Sequence, residues 1–142
     1  MAGYFSGTVD VGATIKIPGH SYWHGGTFSV NGDTSVNVVT IALGTHQSGF
    51  VKFMFGSTDW CCHSGGSGYV ECHLAAGYGA PGTIVTESVL PGQWQDLDFF
   101  AYNHSGSNTR SLRVTNGSSS NAPTMQCQAW VQSSGGSVSY AF

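Results

Sequence analysis

The apolar residues of this chain fall in short β-branched or aromatic runs, separated by clusters of Gly, Ser, Asn and Pro. No stretch holds a helical period long enough to form a helix, and windows rich in Ala, Leu, Glu and Lys are absent. Strands are expected near Tyr4–Val11, Thr14–Ile17, Thr27–Val30, Val36–Leu43, Phe50–Phe55, Tyr69–Leu74, Thr83–Val89, Gln93–Tyr102, Ser111–Thr115, Met125–Val131 and Val138–Phe142. Asn31-Gly32-Asp33 and Asn116-Gly117 are tight-turn sequences. The pattern predicts an all-β protein, a β-sandwich or β-barrel of about ten short antiparallel strands.

A weak internal repeat refines this. Ala2-Gly3-Tyr4 recurs as Ala76-Gly77-Tyr78, and Gly7-Thr8-Val9 as Gly82-Thr83-Ile84. Pro18-Gly19 before Trp23 recurs as Pro91-Gly92 before Trp94. Phe28, Asn31 and Ser35 recur as Phe100, Asn103 and Ser107. Trp60 and Ser64-Gly65-Gly66-Ser67 recur as Trp130 and Ser134-Gly135-Gly136-Ser137. The matches keep their order, and their spacing drifts slowly, as small loop deletions would cause. The expectation is one β domain over 1–142, made from two pseudo-symmetric halves, 2–75 and 76–142. A short repeat cannot bury its apolar face alone, so the halves should share one core.

Composition narrows the partners. Only 8% of residues are charged, against roughly 25% in typical soluble domains. The cations are Lys16, Lys52, Arg110 and Arg113, and the net charge is −3. Too few cations remain to neutralise a nucleic-acid backbone or to hold an anionic membrane surface. No apolar run suits a spanning helix, and no long amphipathic strand pair or helix suits membrane insertion. The first residues lack the charged and apolar regions of a signal peptide, so the expected location is cytoplasmic, or outside the cell without a signal peptide.

The four tryptophans all sit in the repeat. Trp60 and Trp130 follow expected strands and precede glycine turns, which reads as core. Trp23 and Trp94 follow Pro-Gly, where a core position and an exposed binding face fit equally well. Tyr22-Trp23-His24-Gly25-Gly26-Thr27-Phe28 reads as a recognition loop in which the glycine pair allows close backbone approach. An aromatic face there, with His24, Asn31 and Asp33 as polar neighbours, suits the stacking of a sugar ring and the reading of its hydroxyls. In the second half, Trp94 is followed by Asp96, Asn103 and His104. The candidate carbohydrate-binding residues are therefore Tyr22, Trp23, His24, Asn31, Asp33, Trp94, Asp96, Asn103 and His104.

Metal and catalysis find less support. Cys61-Cys62-His63 and Cys72-His73 fit no standard zinc spacing, and Cys61 and Cys62 align with Val131 and Gln132 in the repeat. Buried thiols or one local disulfide are expected, with no metal and no cofactor. No nucleophile elbow and no HExxH motif occur. Asp96 and Asp98 share one strand face but have no counterpart in the first half, and solvated carboxylates are the expected reading. The chain does not read as an enzyme.

Low charge, the missing signal peptide and Trp/Gly/Asn/Ser-rich strands resemble the small cytosolic β-rich lectins of fungal fruiting bodies and some bacteria. Trp23-His24-Gly25-Gly26-Thr27-Phe28 followed by Asn37-Val38-Val39-Thr40-Ile41 is similar to the repeat of the Oscillatoria agglutinin family. That resemblance implies tandem repeats in one barrel with two high-mannose sites; the second half, at Trp94-Gln95-Asp96-Leu97-Asp98, lacks the glycine pair. Gln93-Trp94 with Ala129-Trp130 is similar to trimeric TNF-like bacterial lectins, which are not duplicated. The expected function is thus that of a lectin: non-catalytic, multivalent and agglutinating, a hemagglutinin used in defence. Its partners would be glycans of glycoproteins or cell surfaces, with a possible homo-oligomer and no nucleic acid or membrane insertion. The alternative is a structural or assembly protein (coat, fibre tip or storage) whose aromatics serve core and oligomer contacts.

Overall fold

β-Branched and aromatic side chains fit a pleated surface, and strict alternation lets each strand bury one face while wetting the other. A computed structural model describes the chain at residues 15–17, 21–57, 66–77, 82–90, 96–117 and 124–142, the first of these as backbone. Ten strands occupy them: β1 Ile15–Ile17, β2 Ser21–Phe28, β3 Thr34–Ala42, β4 Ser48–Ser57, β5 Ser67–Ala75, β6 Gly82–Leu90, β7 Leu97–Asn103, β8 Thr109–Asn116, β9 Met125–Ser133 and β10 Ser137–Tyr140. No helix occurs among the described residues.

The strands form two antiparallel sheets. One has six strands in the order β1-β2-β9-β4-β5-β6; the other has four, β10-β3-β8-β7. Both contribute to a single apolar layer. Val51, Phe53, Val70, Leu74 and Val131 of the six-stranded sheet are fully buried, as are Val39, Ile41, Leu112 and Val114 of the four-stranded sheet. Phe53 lies near the middle, with ring centroids 5.4 Å from Phe28 and 6.1 Å from Phe99 of the opposite sheet. The architecture is a β-sandwich, as the strand pattern led one to expect.

One expected loop is a strand. Tyr22–Phe28 runs in register with β9, Trp23 opposite Trp130 and Phe28 opposite Met125. The glycine pair serves packing here. A Cβ on Gly26 would lie 2.8 Å from the backbone carbon of Phe142, so the C-terminal residues need that position bare. The Asn31-Gly32-Asp33 turn forms as expected: the Thr34 amide donates to the Asn31 carbonyl at 3.2 Å, and Asp33 takes the left-handed conformation at φ 56°. Trp60, Trp94, Cys61, Cys62 and the expected strand near Tyr4–Val11 lie outside the described residues, as do several members of the repeat.

Candidate functional site

Alternation in β2 separates the first-half candidates. Trp23 points outward from the six-stranded sheet and is 36% exposed, whereas Phe28 turns into the core. Tyr22 and His24 share the inward parity. Tyr22 packs against the core. The His24 ring stacks on Tyr140 with centroids 4.2 Å apart, and its Nε2 lies 2.9 Å from the Phe142 carbonyl oxygen. Burial, and then the neighbouring Tyr22, push the Tyr140 phenol up to about 12. His24 and Tyr22 thus pack β2 against β10, on the opposite face from Trp23.

The remaining candidates sit at the ends of the sandwich. Asn31 and Asp33 are exposed in the β2–β3 turn. Asp96 reaches the same end: its backbone carbonyl accepts from the Gly117 amide at 2.8 Å, while Asn116 donates from Nδ2 to the Val30 carbonyl at 3.2 Å. Asn103 and His104 lie at the far end of β7, roughly 20 Å from Asp96 at the rise of an extended strand. His104 Nε2 lies 2.7 Å from Ser111 Oγ. Asp96, Asn103 and His104 are therefore not gathered around one point.

What the fold does assemble is the outer face of the six-stranded sheet. Register places Trp23 opposite Trp130, Trp130 opposite Lys52 and Lys52 opposite Glu71. The adjacent row runs Gln132, Phe50, His73, Thr83, and the row on the other side runs Gln128, Met54, Tyr69, Ser88. Trp130, expected in the core, stands outward between the buried Ala129 and Val131 because β9 alternates strictly. Phe50 meets the Trp130 ring edge-to-face at 5.8 Å and the His73 ring at 5.2 Å. Tyr69 is 37% exposed, and Lys52 Nζ lies 5.5 Å from its ring centroid. Shallow depressions of about 580 and 630 Å³ lie along the sheet, the first lined by Phe50, His73 and Gln132, the second by Met54, Gln126 and Gln128.

Charge on this face cancels. Lys52 Nζ and Glu71 Oε1 form an ion pair at 3.1 Å. Gln126, Gln128 and Gln132 are exposed, and among the described residues their side-chain amides have no protein partner. An amide both donates and accepts, as a sugar hydroxyl does. Phe50, Tyr69, His73, Trp130 and the glutamines were absent from the sequence-based site. The signal was there in Gln126-x-Gln128-x-Trp130-x-Gln132, a two-residue period of large polar and aromatic side chains on one strand face.

The described thiols are structural. Cys72 and Cys127 are buried and free, and burial pushes each thiol up to about 12, so neither is poised as a nucleophile. Burial, and then the charge of Asp98, raise the Glu87 carboxyl where the edges of the two sheets meet. Among the described residues no group of three or more His, Cys, Asp or Glu side chains could hold a metal ion.

No protein-family model matches the chain, and no curated protein matches it either. Among solved structures, the chain is similar to the tailspike protein gp49 of Acinetobacter baumannii bacteriophage Fri1, a capsular polysaccharide depolymerase. That match has a TM-score of 0.49 and 13% identity, and covers 90% of this chain and 21% of the tailspike. A second is the tailspike of Acinetobacter baumannii phage AM24, with a TM-score of 0.42 and 8% identity, covering 83% of this chain and 28% of that one. Likenesses this distant carry no functional assignment. The class defined by the fold and the face is an all-β sandwich with an open, aromatic and amide-rich sheet surface.

Proposed function

We propose that this chain is a non-catalytic carbohydrate-binding protein, a lectin, and that it takes glycans of glycoproteins or cell surfaces on the outer face of the six-stranded sheet. The observation that carries the reading is the combination of outward aromatic rings and unpartnered amides on rigid strands. Trp23, Trp130, Phe50 and Tyr69 offer faces and edges for the apolar side of a sugar, and Gln126, Gln128 and Gln132 offer both hydrogen-bond senses for its hydroxyls. A single shallow site of this kind binds weakly, in the millimolar to micromolar range, about −4 to −8 kcal/mol. Agglutination then requires a second site or further copies of the chain, and avidity supplies the rest.

Absence of catalysis is supported by the chemistry of the face. Retaining and inverting glycosidases use paired carboxyl groups. Among the described residues the one carboxylate in these outward rows is Glu71, and Lys52 holds it. The duplication of halves 2–75 and 76–142 remains part of the same proposal.

A labelled-protein glycan array tests the function. Binding that Trp130→Ala and Trp23→Ala both weaken, in variants with unchanged circular dichroism, is the expected result. No binding to any glycan by the folded wild-type protein would remove the lectin reading.

A second reading, that of an assembly protein, draws on β6. This strand is the sheet edge and exposes Val85 at 52% and Leu90 at 58%, where edges are usually guarded by charge or proline. A concentration-dependent oligomer in light scattering, dissolved by Val85→Lys, would support it; a strict monomer at all concentrations would remove it.

A further inference from the structure

The aromatic row has a direction, and the described lysine of the face is paired. We infer that the ligand is an uncharged linear oligosaccharide lying across the strands from Trp23 to His73, an inference that rests on the glycan-binding reading above. Trp23 on β2 pairs in register with Trp130 on β9, the Trp130 ring meets Phe50 on β4 at 5.8 Å, and Phe50 meets His73 on β5 at 5.2 Å. These rings cross three inter-strand spacings, roughly 14 Å in all. One pyranose covers one ring, so a row of this length, with rings turned edge to face, offers successive face and edge contacts to a chain of sugars and wastes most of itself on a single one.

Charge selects the kind of chain. A uronate or a sialylated glycan needs a cation to meet its carboxylate once water is displaced. Among the described side chains, the lysine of the face, Lys52, already faces Glu71 at 3.1 Å. The arginines are committed elsewhere. Arg110 is buried and donates to the carbonyls of Ala75 and Ser107, and Arg113 donates to Asn37 Oδ1 on β3 of the other sheet. Against this background the glutamines Gln128 and Gln132, flanking Trp130 on the same strand face, read hydroxyls without asking for charge. One depression takes in Phe50 and His73 of the row together with Gln132, and the other lies off the row at Met54, Gln126 and Gln128, where groups projecting from the chain would settle.

The test is isothermal titration of the full chain with cello-, manno- and chito-oligosaccharides of increasing length, and with oligogalacturonates, at low and high salt. The expected result is a neutral series whose affinity rises by about tenfold or more from the monosaccharide to the tetrasaccharide, unchanged by salt. Trp23→Ala should flatten that rise, while Arg113→Ala on the opposite face leaves it intact; circular dichroism confirms folding of both. Equal affinity for monosaccharide and tetrasaccharide overturns the inference and leaves glycan binding standing. So does binding restricted to oligogalacturonates and lost in salt. Failure of every glycan to bind overturns both.

Discussion

The two outer faces of this sandwich are built on the same pleat and have opposite habits. On the four-stranded sheet the side chains satisfy one another. Ser35 and Thr115 hydroxyls meet at 2.8 Å, Thr40 and Ser111 at 2.7 Å, and His104 reaches Ser111 at 2.7 Å. Arg113 donates to Asn37 at 2.6 Å, and its guanidinium lies 3.2 Å from the Tyr102 ring centroid. On the six-stranded sheet, Lys52 and Glu71 neutralise each other, and the glutamine amides and the Trp23 ring face outward. A polar face closed on itself gains stability and has little left to offer a ligand. One left open forgoes that stability and keeps its donors, acceptors and rings for something else.

Most damage should come from removing what both sheets rest on. Phe53→Ala should cost about 3–5 kcal/mol, seen as a large fall in the urea midpoint, because the cavity opens at the centre of the shared core. The same core sets a pH limit. The Cys72 and Cys127 thiols rise from 9.0 to about 12 on folding. Their raised folded values give stability that is complete below the unfolded value and is lost as pH climbs from there toward the folded one. Melting temperature should therefore fall across that alkaline window, and less steeply in Cys72→Ala than in the wild type.

The next effects separate the faces. Trp130→Ala should weaken glycan binding by about 2 kcal/mol, roughly thirtyfold, measured by titration calorimetry. Arg113→Ala should do the reverse, lowering stability by about 1–2 kcal/mol through the loss of its hydrogen bond to Asn37 and its stack on Tyr102, with affinity unchanged. The smallest pair is the sharpest. Gln128→Ala should leave stability within about 0.5 kcal/mol and lower affinity several-fold, whereas Thr115→Ala should cost about 0.5–1 kcal/mol of stability and leave affinity alone.

The sheets were easier to read in the chain than the site. Runs such as Phe50–Phe55 and Met125–Val131 sit inside β4 and β9 because β-branched and aromatic residues between polar turns leave little alternative. β2 was placed too late along the chain because Gly25-Gly26 looks like a loop; the reason for Gly26 lies with Phe142, far away in sequence. The grouping of the candidate residues was hidden for the same reason on a larger scale. Trp23 was a candidate on local grounds, but its neighbours come from β9, β4 and β5, and only the register brings them together. The local neighbours His24 and Tyr22 went to the other face by strand parity. Asp96 and Asn103 were grouped by sequence proximity, yet an extended strand carries them to opposite ends of the sandwich.

The most direct test of the open face is an NMR titration that follows side-chain signals while a neutral oligosaccharide is added. The side-chain amides of Gln126, Gln128 and Gln132 and the indole signals of Trp23 and Trp130 should move together and saturate, while Arg113 Nε and the His104 ring stay still. Shifts confined to Arg113, Tyr102 and His104, with the glutamines unmoved, would contradict it and place binding on the face that the structure shows closed.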